Sequence, residues 1–169
     1  KAVLNNEKTE NLLILNSPNN PSGQVCQNLE DLSKVILKYN ITVLSDEIYS
    51  ELTFQNKYNS LAKFCPDNVI ISNGLSKWCG AGGWRLGYFV FPEALNHLKN
   101  SIKILASETF SAVSAPIQYA AISAFSKDHS EYVLKSKKIL NSIGNFVHKN
   151  LKSNNIIMNE PMGGFYLMP

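Results

Sequence analysis

Three short apolar runs, each closed by a cluster of polar residues, constrain what this chain can fold into more than any other feature. They are Asn11 to Asn16 (NLLILN), Thr42 to Ser45 (TVLS) and Asn68 to Ser72 (NVIIS). Each is too short for a core helix and reads as a buried strand. Between the first two, Leu29, Leu32, Val35, Ile36 and Tyr39 recur at helical spacing. Asn28 stands at the N-cap position, and the acidic Glu30 and Asp31 suit the positive end of the helix dipole. Strand, helix and strand with short connections predict an α/β fold, a mostly parallel sheet with helices on both faces. Arg85 to Phe91 (RLGYFVF) supplies a fourth strand.

The second half reads as helical. Pro92 to Ala106 is one helix, and Ser114 caps another through Ala115 to Phe125. Asp128 with Glu131 three residues later resembles a capping box, which opens a long amphipathic helix to about Leu151. A strand from Ile156 to Met158 and a Gly163-Gly164 turn into Phe165 complete the reading. The expected division is a larger domain over residues 1–130 and the start of a smaller α+β C-terminal domain over 131–169. The chain does not begin with Met and stops just after Phe165-Tyr166-Leu167-Met168, so it is expected to be a piece of a longer protein.

Composition narrows the function class. A net charge of +3 without a run of like charges gives no patch for nucleic acid or a membrane surface. Cys26, Cys65 and Cys79 are odd in number and scattered, which suits free thiols in a reducing compartment and disfavours a metal site. With no apolar run of spanning length and no secretory signal, the expected location is the cytoplasm.

Chemistry is expected where the strands end, because open α/β sheets bind ligands at the carboxyl ends of their strands. Those ends carry NSPNNPSG, DEIY and SNGLSK. In the last, Lys77 follows a buried strand and precedes the glycine-rich Gly80-Ala81-Gly82-Gly83. Partial desolvation there would favour a neutral, nucleophilic amine, whereas the bland alternative is a surface loop lysine. Asp46 and Tyr49 lie three apart just after a strand; they could face one ligand, or merely cap a turn and pack. Two prolines hold Asn20 in a tight turn. Arg85, among apolar neighbours, calls for an anion, either a phosphate or a structural carboxylate.

In this order and spacing the motifs resemble the class I/II aminotransferases of the fold-type I pyridoxal-phosphate superfamily, of the aspartate aminotransferase type. The pattern N-x-P-N-P-[ST]-G is matched in part by NSPNNPSG at 16–23, D-E-x-Y by Asp46, Glu47 and Tyr49, and S-K followed by G-x-R-x-G by Ser76-Lys77 and Gly83 to Gly87. A GGFY-like segment at Gly163 to Tyr166 also occurs in the family. The resemblance implies an aminotransferase using pyridoxal 5′-phosphate on amino acid and 2-oxo acid substrates, and a homodimer. It implies Lys77 for the internal aldimine, Asp46 for the pyridine nitrogen, Asn20 and Tyr49 for the 3′-oxygen and Arg85 for the phosphate. Lys77, Asp46 and Tyr49 are then catalytic. It also implies a cis peptide bond at Asn20-Pro21. The family often has a phosphate-binding Ser where Gly74 stands, and Ser76 cannot be assumed to replace it. Carbon–sulfur lyases, cyclopropane-forming synthases and the aminotransferase-like domains of some transcription regulators share these motifs and are the alternatives. The family's glycine-rich phosphate loop lies upstream and its carboxylate-binding arginine downstream, so residues 1–169 alone are expected to be inactive.

Overall fold

The computed structural model describes residues 10–54 and 58–169. Strands β1 (Leu12–Asn16), β2 (Thr42–Asp46), β3 (Val69–Gly74) and β4 (Gly87–Val90) form one sheet in the order β1-β2-β3-β4. The first three run parallel and β4 returns antiparallel to β3. Register places Leu13, Val43 and Val69 side by side on one face. Helix α1 (Leu29–Tyr39) covers that face, and Ile36 is wholly buried within it. Leu29, Ile41, Leu61 and Cys65 complete the cluster. On the opposite face Leu12 and Ile14 remain exposed among the described residues.

The helix ends where the chemistry of Asn40 permits. Asn40 takes a left-handed conformation (φ 45°), a state Asn adopts more readily than other non-glycine residues, and its N–H donates to the Ile36 and Leu37 carbonyls. The chain can then turn directly into β2. Helices α2 (Asn96–Thr109), α3 (Ala115–Ser126) and α4 (Ser130–Ser153) follow β4. No helix of the described residues is long and apolar enough to cross a membrane.

Three local expectations are corrected. Arg85 has φ 57°, incompatible with an extended strand, so β4 begins only at Gly87. The Asp128–Glu131 capping box does not form, because the helix starts one residue later. Asp128 Oδ1 instead accepts the Ser130 N–H at 2.8 Å, and Glu131 pairs with Lys135 at 2.6 Å. Ile156 to Met158 is irregular rather than a strand, since no strand of the described residues lies beside it to share a ladder.

The closing segment folds back onto the start of the chain. Met162 and Gly163 donate their N–H groups to the Gly23 carbonyl at 2.9 and 3.1 Å, and Thr53 bridges Gly163. Gly23 has φ 68°, and a Cβ there would meet the Tyr166 carbonyl at 2.7 Å. Only glycine fits this crossing. In the core, Ile36→Ala should lower unfolding free energy by about 2–5 kcal/mol, read as a shift of the urea midpoint without a change of slope.

Candidate active site

In-register strand ends assemble the site. Asn16 stands opposite Asp46, and Asp46 opposite Ser72, so three polar side chains line the carboxyl edge. The Asn16 amide Nδ2 donates to Asp46 Oδ2 at 3.1 Å, and the Ile48 N–H donates to Oδ1 at 3.3 Å. Burial holds the Asp46 carboxyl above the usual carboxylate range; the bonds from Ile48 and Asn16, and the charge of Lys77, pull it partly back. The other side of Asn16 organises the turn: its Oδ1 accepts the Asn20 N–H at 2.7 Å. That turn carries two cis peptide bonds, Asn20-Pro21, as the resemblance implies, and Ser17-Pro18.

Glu47, just past the end of β2, is buried. Its Oε1 accepts the Ser60 hydroxyl at 2.5 Å and the Ser45 hydroxyl at 3.0 Å, and Tyr58 also bonds to it. Desolvation again raises its pKa, against the pull of those three hydroxyls. Tyr49 follows and is only 3% exposed. Burial, then the neighbouring Tyr166, push its phenol well above the ordinary tyrosine range, while a bond from the Asn20 side chain acts the other way.

Lys77 lies in the turn after β3. Its Nζ is 5.5 Å from the ring centres of both Tyr49 and Phe165, within range of a cation–π contact. Arg85 caps the short turn Gly82–Trp84 and donates to the Gly82 carbonyl at 2.6 Å. It is exposed and has no carboxylate partner among the described residues, so the salt-bridge alternative is not what holds it. Arg85 and Ser76 line a cavity of about 260 Å³ together with Asp46, Ser72 and Asn73. Lys77 meets the Tyr49 ring, the Asn20 side chain bonds to Tyr49, and the charge of Lys77 acts on Asp46; of these four residues only Asp46 lines the cavity with Arg85.

Comparison with known proteins decides the family. The sequence profile described as "Aminotransferase class I and II" matches residues 1–169, the whole chain. The chain belongs to the class I and II aminotransferases. It is 35% identical over 166 residues to an aspartate aminotransferase of Thermotoga maritima, covering 95% of this chain and 41% of that protein. A solved structure of aspartate aminotransferase from the same organism superposes with a TM-score of 0.82 at 33% identity, over 98% of this chain and 43% of that one. An aromatic aminotransferase from Pyrococcus horikoshii gives a TM-score of 0.84 at 28% identity, over 94% and 43%. The chain therefore spans about two fifths of the relatives it matches.

The presence of Gly74 has a steric cause. It pairs with Gly87 across β3 and β4, and a Cβ at 74 would meet the Leu86 carbonyl oxygen at 2.5 Å. A serine cannot stand there without moving the backbone of β4.

Sequence reasoning did not single out Asn16, Phe165 or Tyr166 as members of the site. Asn16 could have been found, because a parallel partner at the end of β1 must stand beside Asp46. Phe165 and Tyr166 carry no local signal: Tyr166 reaches Tyr49 from 117 residues away.

A pH dependence follows from the raised Asp46 carboxyl. The folded state holds that proton more tightly than the unfolded chain, whose value lies near pH 4. The corresponding stability is fully present below about pH 4 and is lost as pH rises through the folded pKa. Asp46→Asn removes this loss. Without added cofactor, the melting temperature of the variant relative to the wild type should climb between about pH 4 and pH 7; a difference independent of pH would contradict the assignment.

Proposed function

We propose that this chain is the central part of a pyridoxal-phosphate-dependent aminotransferase that moves an amino group between an amino acid and a 2-oxo acid, with Lys77 as its cofactor-bearing lysine. The meeting of Lys77 with Asp46 and Tyr49 at one strand edge carries the reading, since these residue types are needed together for that chemistry and Lys77 is far from the other two in sequence.

The donor set fits the cofactor. Asp46 is a half-buried carboxylate whose burial is incompletely offset by its neighbours, and a protonated ring nitrogen would supply the missing positive charge. Asn20 and Tyr49 offer an amide and a phenol to a ring oxygen. Arg85 and Ser76 share a cavity, and a guanidinium free of carboxylates suits a phosphate. When bound, pyridoxal phosphate supplies a conjugated ring that takes up the electron pair left at the substrate's α-carbon.

The side chains divide the remaining work. Lys77 Nζ anchors the cofactor, becomes a free amine when substrate displaces it, takes the α-proton and later returns a proton. Asp46 keeps the ring nitrogen protonated, a task a neutral amide cannot perform. Tyr49 and Asn20 orient the ring, and Arg85 neutralises charge at its far end. The same reading assigns residues 1–130 to the cofactor-binding domain and 131–169 to the start of a smaller one, supported by α4 beginning at Ser130. It takes the full-length protein to be a cytoplasmic homodimer.

Borohydride reduction of the full-length protein with pyridoxal phosphate, followed by peptide mass spectrometry, should find the adduct on Lys77. Aspartate is the first donor to assay, because the Thermotoga relative is named for it. Lys77→Ala should lower turnover by on the order of 10²–10⁴-fold, the range for a positioned proton-transfer group. Asp46→Asn should retain cofactor and slow α-proton removal by orders of magnitude, each tenfold corresponding to about 1.4 kcal/mol. An adduct on another lysine, or undiminished turnover in either variant, would sink the reading. Residues 1–169 alone should transfer no amino groups in the same assay.

A further inference from the structure

One hydroxyl beside Tyr49 has no part in the chemistry proposed for Lys77, Asp46 and Tyr49. Tyr49 Oη donates to this hydroxyl, Tyr166 Oη, at 3.4 Å. Its position is held from several directions. The rings of Tyr49 and Tyr166 meet edge to face at 5.8 Å and 89°, and Phe165 stacks on Tyr166 at 4.9 Å. Gly164 N–H donates to the Leu52 carbonyl at 3.0 Å, which fastens the backbone just before these rings.

A phenol has a single proton and two acceptor sites. Two facing phenols can therefore share only one O–H bond, and its direction decides what Tyr49 has left to offer. The Asn20 side chain already bonds to Tyr49 in the sense that stabilises negative charge on its oxygen, which is donation from the amide. Without a ligand the shared bond runs from Tyr49 to Tyr166, which helps push the Tyr49 phenol up. A ligand oxygen that takes up the Tyr49 proton leaves Tyr166 to turn its own hydroxyl and donate, so that both acceptor sites of Tyr49 are filled. Accepting such bonds makes a hydroxyl a stronger donor.

We propose that Tyr166 is a positioning residue that acts through Tyr49: once the cofactor is bound the shared bond reverses, the Tyr166 hydroxyl donates to Tyr49 Oη, and the Tyr49 proton is directed at the cofactor's ring oxygen. The inference rests on the reading of Tyr49 as the partner of that oxygen. Losing either hydroxyl leaves more negative charge on the cofactor oxygen, which holds the neighbouring proton of the Lys77–cofactor linkage more tightly.

The linkage absorbs visible light and changes colour as it loses that proton, so its titration midpoint can be read in the full-length holoprotein without turnover. Tyr166→Phe keeps the ring and removes only the hydroxyl. It should raise the midpoint by about half to one pH unit, the size of one net hydrogen bond. Tyr49→Phe should raise it further, and adding Tyr166→Phe to Tyr49→Phe should change nothing more. An unchanged midpoint in Tyr166→Phe, or an equal shift with and without Tyr49, overturns the inference while leaving the aminotransferase reading intact. Absence of any borohydride-trapped adduct on Lys77 overturns both.

Discussion

Asn16 makes two kinds of bond with one amide. Its Nδ2 holds the Asp46 carboxylate on the adjacent strand, and its Oδ1 holds the backbone of Asn20 in the turn that follows. The first requires β1 and β2 to be parallel and in register, with Asn16 beside Asp46, while the second is local to the turn. A slip of one residue would turn Asp46 to the other face and leave its buried oxygens without donors. The apolar pairs Leu13–Val43 and Val43–Val69, packed under α1, resist that slip. The core thus sets the placement of a polar group that contributes nothing to the core itself.

Successive carboxylates at the end of β2 illustrate how a strand end separates tasks. Asp46 faces the cavity shared with Arg85, while Glu47 is buried and bound by Ser45, Ser60 and Tyr58. The end of the strand at Asp46 is enough to send them apart. Glu47 consumes its acceptor capacity on protein hydroxyls, which ties residues 58–60 to the strand end. Asp46 keeps capacity in reserve because, among the described residues, the Asn16 side chain and the Ile48 N–H are its hydrogen-bond donors. The two acids look equivalent in the string Asp46-Glu47, and their surroundings make one structural and the other available.

The strands and α1 were legible because their signals are local: an apolar run closed by Pro18, or a helical stripe ended at Asn40. Lys77, Asp46, Tyr49, Asn20 and Arg85 were legible as candidates because motif spacing marks strand ends. What lay beyond reading depends on distant contacts or on single backbone angles. Nothing in RLGYFVF announces that Arg85 is left-handed, although that twist turns its side chain back to the Gly82 carbonyl and out of the sheet. The Asp128–Glu131 spacing was a sound capping signal that lost to a start one residue later. Gly74 was noted as a departure from the family pattern, and only the approach of Leu86 explains it.

The fold-back of residues 162–166 onto Gly23 and Tyr49 has a kinetic consequence. Sheet and α1 are built from neighbouring stretches of chain, whereas Tyr49 and Tyr166 meet only after a loop of 117 residues closes. Such closure costs entropy before any contact compensates for it, so these contacts belong to the late stage of folding. The same segment is the part that can detach without unravelling β1 to β3, since few of its bonds involve the sheet. Amide exchange would therefore register two populations of protection in one chain: a slow one under α1 and a faster one around the aromatic rings that surround Lys77.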